Sequence, residues 1–397
     1  MFTIAMLDSF YQTHKYLVEH INAPVRRKLM DEINWSDRII AIKGSRGVGK
    51  TTFLLQYAKE RYGQARTCLY INFNNLYFTD HSFLDFVDEF VKEGGRILLL
   101  DQMFKYPNWS KELRECYLLY PSLHIVFSAS PVMRLTDENP DLNGIVKMYN
   151  LRGFSFREYL NLQAGTSFPE YTLDQIIFNH QDITRTICEK VHPLWYFQDY
   201  LNHGYYPFYL ENRHFTESLL KTINMMLEVD ILMIRMIDVS YLNKIKQLLH
   251  IILSNAPCSL NISALSEHID MSRATTMNYI KYLKDARLLN LLYLEDKRWP
   301  AKPNKVYIQN TNIACANNER KLTGQVLAET FFYNALHGNH KINATERNAM
   351  FVVDRKHYFD VFDKQPMRPP IRLTAVGGTE QTNNANLIPL WLFGFLY

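Results

Sequence analysis

Residues 44–51 read Gly-Ser-Arg-Gly-Val-Gly-Lys-Thr, and their types and spacing suit one task, wrapping the backbone around phosphate. Gly44, Gly49, Lys50 and Thr51 fill the spacing G-x-x-x-x-G-K-[ST]. Glycine tolerates the tight turns that aim successive N–H groups inward at anionic oxygens. The lysine at this position reaches β- and γ-phosphates, and the hydroxyl after it binds Mg²⁺. A helix starting here adds the positive end of its dipole. The candidate phosphate-binding set is therefore Gly44, Ser45, Arg46, Gly47, Val48, Gly49, Lys50, Thr51 and Thr52.

A magnesium site needs an acid on a neighbouring strand. The run RILLLD, residues 96–101, ends in Asp101, which together with Thr51 forms the candidate metal pair. Asp101 and Gln102 are the candidate catalytic residues. A carboxylate at the second position would take a proton from the attacking water; Gln102 cannot, so turnover is expected to be slow or absent. The run LHIVFS ends at Ser128, with Ser130 two residues on, and Ser128 is the candidate sensor of the γ-phosphate.

The elements that must hold these residues follow from periodicity. Residues 1–36 alternate apolar and charged positions at helical spacing, with Arg26, Arg27 and Lys28 after Pro24. Short continuous apolar runs at 38–43, 67–73, 96–101 and 123–128, and a shorter one at 149–151, read as strands buried on both faces. Helical patterns follow the glycine loop and span 83–93. Strands alternating with helices give an α/β fold, a P-loop NTPase parallel sheet with helices on both faces. Beyond residue 165 the pattern turns helical, including a long run at 215–253 that Pro257 ends. Residues 258–310 read as two helices and two strands. The remainder reads as a helix at 324–336 and strands at 350–353, 357–362 and 387–396, with a polar loop TAVGGTEQTNNAN between the last two.

Composition narrows the classes. The 397 residues are 47% hydrophobic and 21% charged, enough to bury real cores. A net charge of +4 permits a nucleic-acid partner without demanding one. Cys68, Cys116, Cys188, Cys258 and Cys315 are scattered, form no CxxC pair, and read as reduced thiols. The first residues lack a signal-peptide pattern, and no apolar run is long enough to cross a bilayer, so a cytoplasmic chain without membrane contact is expected.

At this point the pattern resembles a family of bacterial AAA-type ATPases that carry a C-terminal domain of unknown function. The resemblance covers nearly the whole chain. It rests on GSRGVGKTT, ILLLDQ, FSAS, LRGFSFREYL at 151–160, YLNHGYYPFY at 200–209, KPNKVYIQN at 302–310 and IPLWLFGFLY at 388–397. It implies an ATPase domain at 1–165, a helical linker with a winged-helix domain at 166–310, and an α+β endonuclease-like domain at 311–397. Two departures stand out. The family has Asp-Glu where this chain has Asp101-Gln102, and a basic residue where this chain has Gly144 and Ile145. An arginine there would stabilise charge on the transferring phosphate.

Residues 261–294 have the pattern of a helix-turn-helix followed by a strand, similar to that of winged-helix DNA binders. Ser272 is placed to cap the second helix. Arg273, Thr275, Thr276, Asn278 and Lys281 would meet double-stranded DNA, with Lys297, Arg298, Lys302 and Lys305 along a wing. In the last segment Glu329, Asp354, Asp360 and Lys364 are the residues an endonuclease-like fold would gather, but Phe362 stands where the acid-x-Lys triplet needs lysine, so an inactive version is expected.

These readings predict an ATP- and Mg²⁺-binding protein with weak or no hydrolysis, in which nucleotide positions the other domains. No guanine-reading motif stands out, which favours ATP. The alternative is a DNA-binding regulator or toxin-antitoxin-like factor in which ATP is a structural ligand. The absent arginine fits a monomer or an oligomer whose neighbour supplies it.

Overall fold

Five apolar runs become one parallel sheet. The strands are β1 (Ile39–Lys43), β2 (Cys68–Asn72), β3 (Ile97–Asp101), β4 (His124–Ala129) and β5 (Val146–Asn150), in the order β2-β3-β4-β1-β5. All four pairings are parallel. The computed structural model describes residues 2–211, 214–316, 322–347 and 349–397. By compactness the chain divides into two units, Met1–Arg152 and Gly153–Tyr397, and the sheet lies in the first.

The order decides where the chemistry sits. β4 lies between β1 and β3, and Ile42 pairs with Ser128 while Leu100 pairs with Phe127. The loop after β1, the acid ending β3 and the serine of β4 therefore meet at one edge, the carboxyl ends of the strands, where open α/β sheets place their ligands. Every residue of β3 is buried, which is why its sequence is unbroken Ile-Leu-Leu-Leu before Asp101. β5 is longer than the run at 149–151 indicates. It is an edge strand with exposed positions, so it lacks a continuous apolar stretch.

The flanking helices are α1 (Phe2–His20), α2 (Leu29–Glu32), α3 (Lys50–Arg61), α4 (Tyr77–Asp80), α5 (Phe83–Lys92) and α6 (Trp109–Leu119). α5 shows how they form. Ser82 Oγ accepts from the Asp85 N–H at 3.3 Å, capping the first turn. Phe83, Phe86, Val87 and Phe90 then bury one face. At about 1.5–3 kcal/mol per large apolar side chain this face contributes on the order of 6–12 kcal/mol as an upper bound.

The second unit begins with α7 (Phe156–Ala164), α8 (Leu173–Cys188) and α9 (Pro193–Asp199). Ser155 with Glu158, and Thr172 with Gln175, form capping boxes that start α7 and α8. The long helical run is interrupted: α10 (Phe215–Met225) passes into a wider π-type turn at Met226–Met233 before α11 (Leu242–Asn255). Next come α12 (Ile262–His268), α13 (Arg273–Asp285) and the antiparallel pair β6 (Leu289–Leu292) and β7 (Lys305–Ile308). α14 (Thr311–Ala316) and α15 (Gly324–Leu336) lead into β8 (Ile342–Asn343), β9 (Phe351–Val353), β10 (His357–Phe362), β11 (Leu373–Val376) and β12 (Leu387–Pro389), ordered β12-β11-β10-β9-β8.

Two expectations for this last segment are corrected. The run 387–396 is a strand only to Pro389; Leu390–Phe395 coil into a 3₁₀ helix. That piece is buried throughout, so it has no exposed face from which a period could be read. The first residues of the polar loop, Thr374–Val376, belong to strand β11 (Leu373–Val376), which pairs with β10 and β12. Phe156, Ile176 and Phe197 share one apolar core with Phe331, Phe351, Phe359, Trp391 and Phe393, so the helices after residue 153 and the C-terminal sheet pack as one body. The five cysteines are free. No described helix is long and apolar enough to cross a membrane.

Candidate functional site

The loop at 44–49 is shaped by what cannot fit there. A Cβ at Gly44 would lie 2.6 Å from the Leu151 carbonyl oxygen. Gly47 and Gly49 sit at φ of 79° and 91°, the left-handed region that glycine enters without strain. Gly44 donates its N–H to Ala129 O at 3.2 Å, fastening the loop to the end of β4. Arg27, almost fully buried, donates to Val48 O at 3.4 Å and to Arg152 O at 2.7 Å, bracing the loop from behind.

Lys50 opens α3 and folds its ammonium over the loop, donating to Gly44 O at 2.7 Å and Ser45 O at 2.9 Å. No side chain caps α3, so its first N–H groups are left to an anion or to solvent. Ser45 and Val48 are buried, whereas Arg46, Gly47, Gly49, Lys50 and Thr52 are half-buried and Thr51 is exposed.

Asp101, 2% exposed, collects three hydroxyls. Thr51 Oγ1 donates to its Oδ2 at 2.6 Å, Tyr70 OH to the same oxygen at 3.0 Å, and Ser128 Oγ to Oδ1 at 2.5 Å. Burial, and then the Asp101 charge, push the Tyr70 phenol far above its ordinary range, so it remains a donor. Ser128 Oγ also accepts from the Gln102 N–H at 3.2 Å. Gln102 turns into the left-handed region at φ 60°, and its Oε1 is shut from solvent without a hydrogen-bond partner among the described residues.

Thr51, Asp101, Gln102 and Ser128 are thus joined into one network beside the glycine loop. The oxygens of Thr51 and Asp101 are the hard donors that Mg²⁺ prefers, and their 2.6 Å contact puts both within reach of one ion, so the residues fit that metal. Ser130 is buried and accepts from Val132 N–H at 3.4 Å, outside this network. Gly144 and Ile145 lie on the turn before β5 and supply no cation. Two functional residues escaped the sequence reading. Arg27 sits in a basic triplet with no motif around it, and Tyr70 is one aromatic within an apolar strand; only the strand order shows it beside Asp101.

The remaining candidates are placed partly as expected and partly not. Ser272 does cap α13, accepting from Thr275 N–H at 3.1 Å, and Arg273 and Asn278 are exposed. Thr276, however, is buried and donates to Ser272 O at 3.0 Å, so it faces the core. Lys281 is ion-paired with Asp285 at 2.6 Å. Lys297 and Arg298 are exposed, and Lys305 approaches Glu329 at 3.8 Å. In the C-terminal segment, Glu329 accepts from Tyr307 OH and Gln325 Nε2, both at 3.0 Å. Asp354 bonds His340 at 2.7 Å, and Asp360 accepts from Met350 N–H at 3.2 Å. Among the described residues no three His, Cys, Asp or Glu side chains form a metal-binding group.

Residues 36–160 match the family model described as an AAA domain, and residues 194–321 match a domain of unknown function, DUF8612. Among solved structures, the Aeropyrum pernix ORC1 protein in complex with DNA aligns at 11% identity and TM-score 0.32, covering 77% of this chain and 91% of that one. The replication initiator DnaA bound to AMPPCP and single-stranded DNA aligns at 14% identity and TM-score 0.27, covering 68% and 92%. A Thermotoga maritima RuvB aligns at 12% identity and TM-score 0.27, covering 72% and 89%. Likeness this distant carries no functional argument. No curated protein matches the chain.

Proposed function

We propose that the protein binds Mg-ATP at Gly44–Thr52 and acts as a nucleotide-dependent switch with slow or no hydrolysis, in keeping with the match of residues 36–160 to the model of an AAA domain and of residues 194–321 to DUF8612. One observation carries the reading: Thr51, Asp101, Ser128 and Gln102 form a single hydrogen-bonded network at the mouth of the glycine loop.

The roles follow from the groups present. The N–H groups of residues 45–50 and the Lys50 ammonium hold phosphate oxygens. Thr51 Oγ1 and Asp101 Oδ2 would hold Mg²⁺, which would supply charge neutralisation to the bound phosphates. The Thr51 hydroxyl would offer the metal a lone pair while still donating its proton to Asp101. Tyr70 and Ser128 keep the carboxylate aimed. Gln102 lies next to the metal acid, as a water-positioning residue would, but an amide accepts no proton. With neither a carboxylate at 102 nor an arginine at 144–145, binding energy goes into holding nucleotide rather than splitting it. The switch reading extends to a cytoplasmic setting and to a neighbouring copy as the source of a missing arginine.

The experiment is a phosphate-release assay on wild type under Mg-ATP saturation beside calorimetric titration of the same sample. Tight binding with turnover below about 0.01 per second, the range of unassisted P-loop proteins, supports a switch. Turnover of several per second refutes it.

A second reading has its own support. α12 and the Ser272-capped α13 precede the antiparallel pair β6–β7, the order of a winged helix, and Arg273 and Asn278 stand exposed on α13. Double-stranded DNA would meet that end of the helix. Its test is duplex binding at low and moderate salt, since phosphate contacts make affinity fall steeply as salt rises. Absence of binding at low salt rejects it.

A further inference from the structure

The second unit contains a concave site away from the phosphate loop. It has a volume of about 540 Å³, and its walls come from the end of α13, from β6 and the segment after it, and from the turn between α15 and β8. That volume is in the range of small-molecule sites.

Its chemistry is specific. Four cations line it, Lys281, Lys284, Arg298 and Lys341, against one carboxylate, Asp285. Asp285 is already held by Lys281 at 2.6 Å and by Lys284 at 3.4 Å. Lys281 is therefore held in place while Lys284 stays partly exposed, and positive charge is left in surplus. Trp299 also lines the site, with the Lys281 ammonium 5.9 Å from its ring centre. An indole beside a cluster of cations offers a face on which a planar ring can stack. Tyr293, another wall residue, has a buried hydroxyl with no hydrogen-bond partner among the described residues. A buried group left in that state marks a place where a partner is missing.

We propose that this pocket binds a nucleotide as a small ligand. Its phosphate lies among Arg298, Lys341 and the lysine pair, and its base stacks on Trp299. This reassigns Lys281 and Arg298 from a DNA-facing surface to the lining of an open, concave site. It is independent of the phosphate loop, which recognises the β- and γ-phosphates.

The test uses the full chain carrying Lys50→Ala, titrated with each of the four common ribonucleoside 5′-monophosphates and with ribose 5-phosphate. A monophosphate lacks the groups Lys50 would hold, so failure of the loop reading leaves this assay untouched. At least one monophosphate is expected to bind saturably below about 1 mM, with quenching of tryptophan fluorescence. Trp299→Ala and the pair Arg298→Ala with Lys341→Ala should each weaken it tenfold or more, and Trp299→Phe should keep most of the affinity. Circular dichroism and melting of the variants check that they fold. The proposal is overturned if none of the four binds, if ribose 5-phosphate binds as tightly as the best monophosphate, or if folded Trp299→Ala binds like its parent.

Discussion

Gln102→Glu gives the sharpest view of what the site lacks. The substitution keeps side-chain length and exchanges a terminal amide for a carboxylate. The backbone stays at φ 60°, and its N–H stays on Ser128 Oγ at 3.2 Å. Gln102 Oε1 has no partner to lose among the described residues, so the change is confined to charge. A positioned general base contributes about 10²–10⁴ in rate. That is about 2.7–5.5 kcal/mol of barrier at about 1.4 kcal/mol per decade. Against this stands repulsion from buried Asp101. Two carboxylates taken roughly 6 Å apart at an effective dielectric of about 20 oppose one another by about 3 kcal/mol. The cost shows as a melting temperature lower by a few degrees, and as a glutamate pKa raised towards neutrality, where a base works best. Single-turnover phosphate release with saturating Mg-ATP should rise at least about 100-fold, with nucleotide affinity within about threefold of wild type. A folded variant that binds ATP normally and releases phosphate at the wild-type rate would refute the reasoning.

Other expectations follow from the same geometry. Gly44→Ala drives a Cβ to 2.6 Å from Leu151 O and should cost about 1–3 kcal/mol of stability and at least tenfold in ATP affinity, read by melting and titration. Ser128→Ala removes the donor to Asp101 and the acceptor for Gln102 N–H, so unfolding in urea should show a loss of about 1–3 kcal/mol. His14, whose Nδ1 accepts from Tyr70 N–H at 3.0 Å, is held by burial at a pKa of about 4, below the 6.5 ordinary for an imidazole. Between those values the unfolded chain binds the extra proton, so stability should fall as pH drops from 6.5 towards 4. Melting temperatures across that window should decline in wild type and decline less in His14→Gln.

The first unit was legible because its chemistry is local and its strands are buried on both faces. The glycine spacing pointed to the loop at Gly44–Thr51, and the run ending at Asp101 put an acid at the end of a buried strand without any knowledge of pairing. What escaped required three dimensions. Tyr70 reaches Asp101 only because β2 lies beside β3, and Arg27 matters only because the chain before β1 returns beneath the loop. The C-terminal segment was harder. Its strands are two to six residues long, and Leu390–Phe395 is buried on every side, so neither a period of two nor of 3.6 can appear. Thr276 was misread for a simpler reason. A hydroxyl on a helix that also carries exposed polar residues looks solvated until its face is known.

The central claim is that Gly44–Thr52 holds nucleotide phosphates, and isothermal titration of Mg-ATP into wild type and Lys50→Ala tests it most directly. Wild type should bind with one-to-one stoichiometry at the loop, and the variant should lose at least about 100-fold in affinity, about 2.7 kcal/mol. Equal binding by both proteins, or binding by neither, would contradict the account.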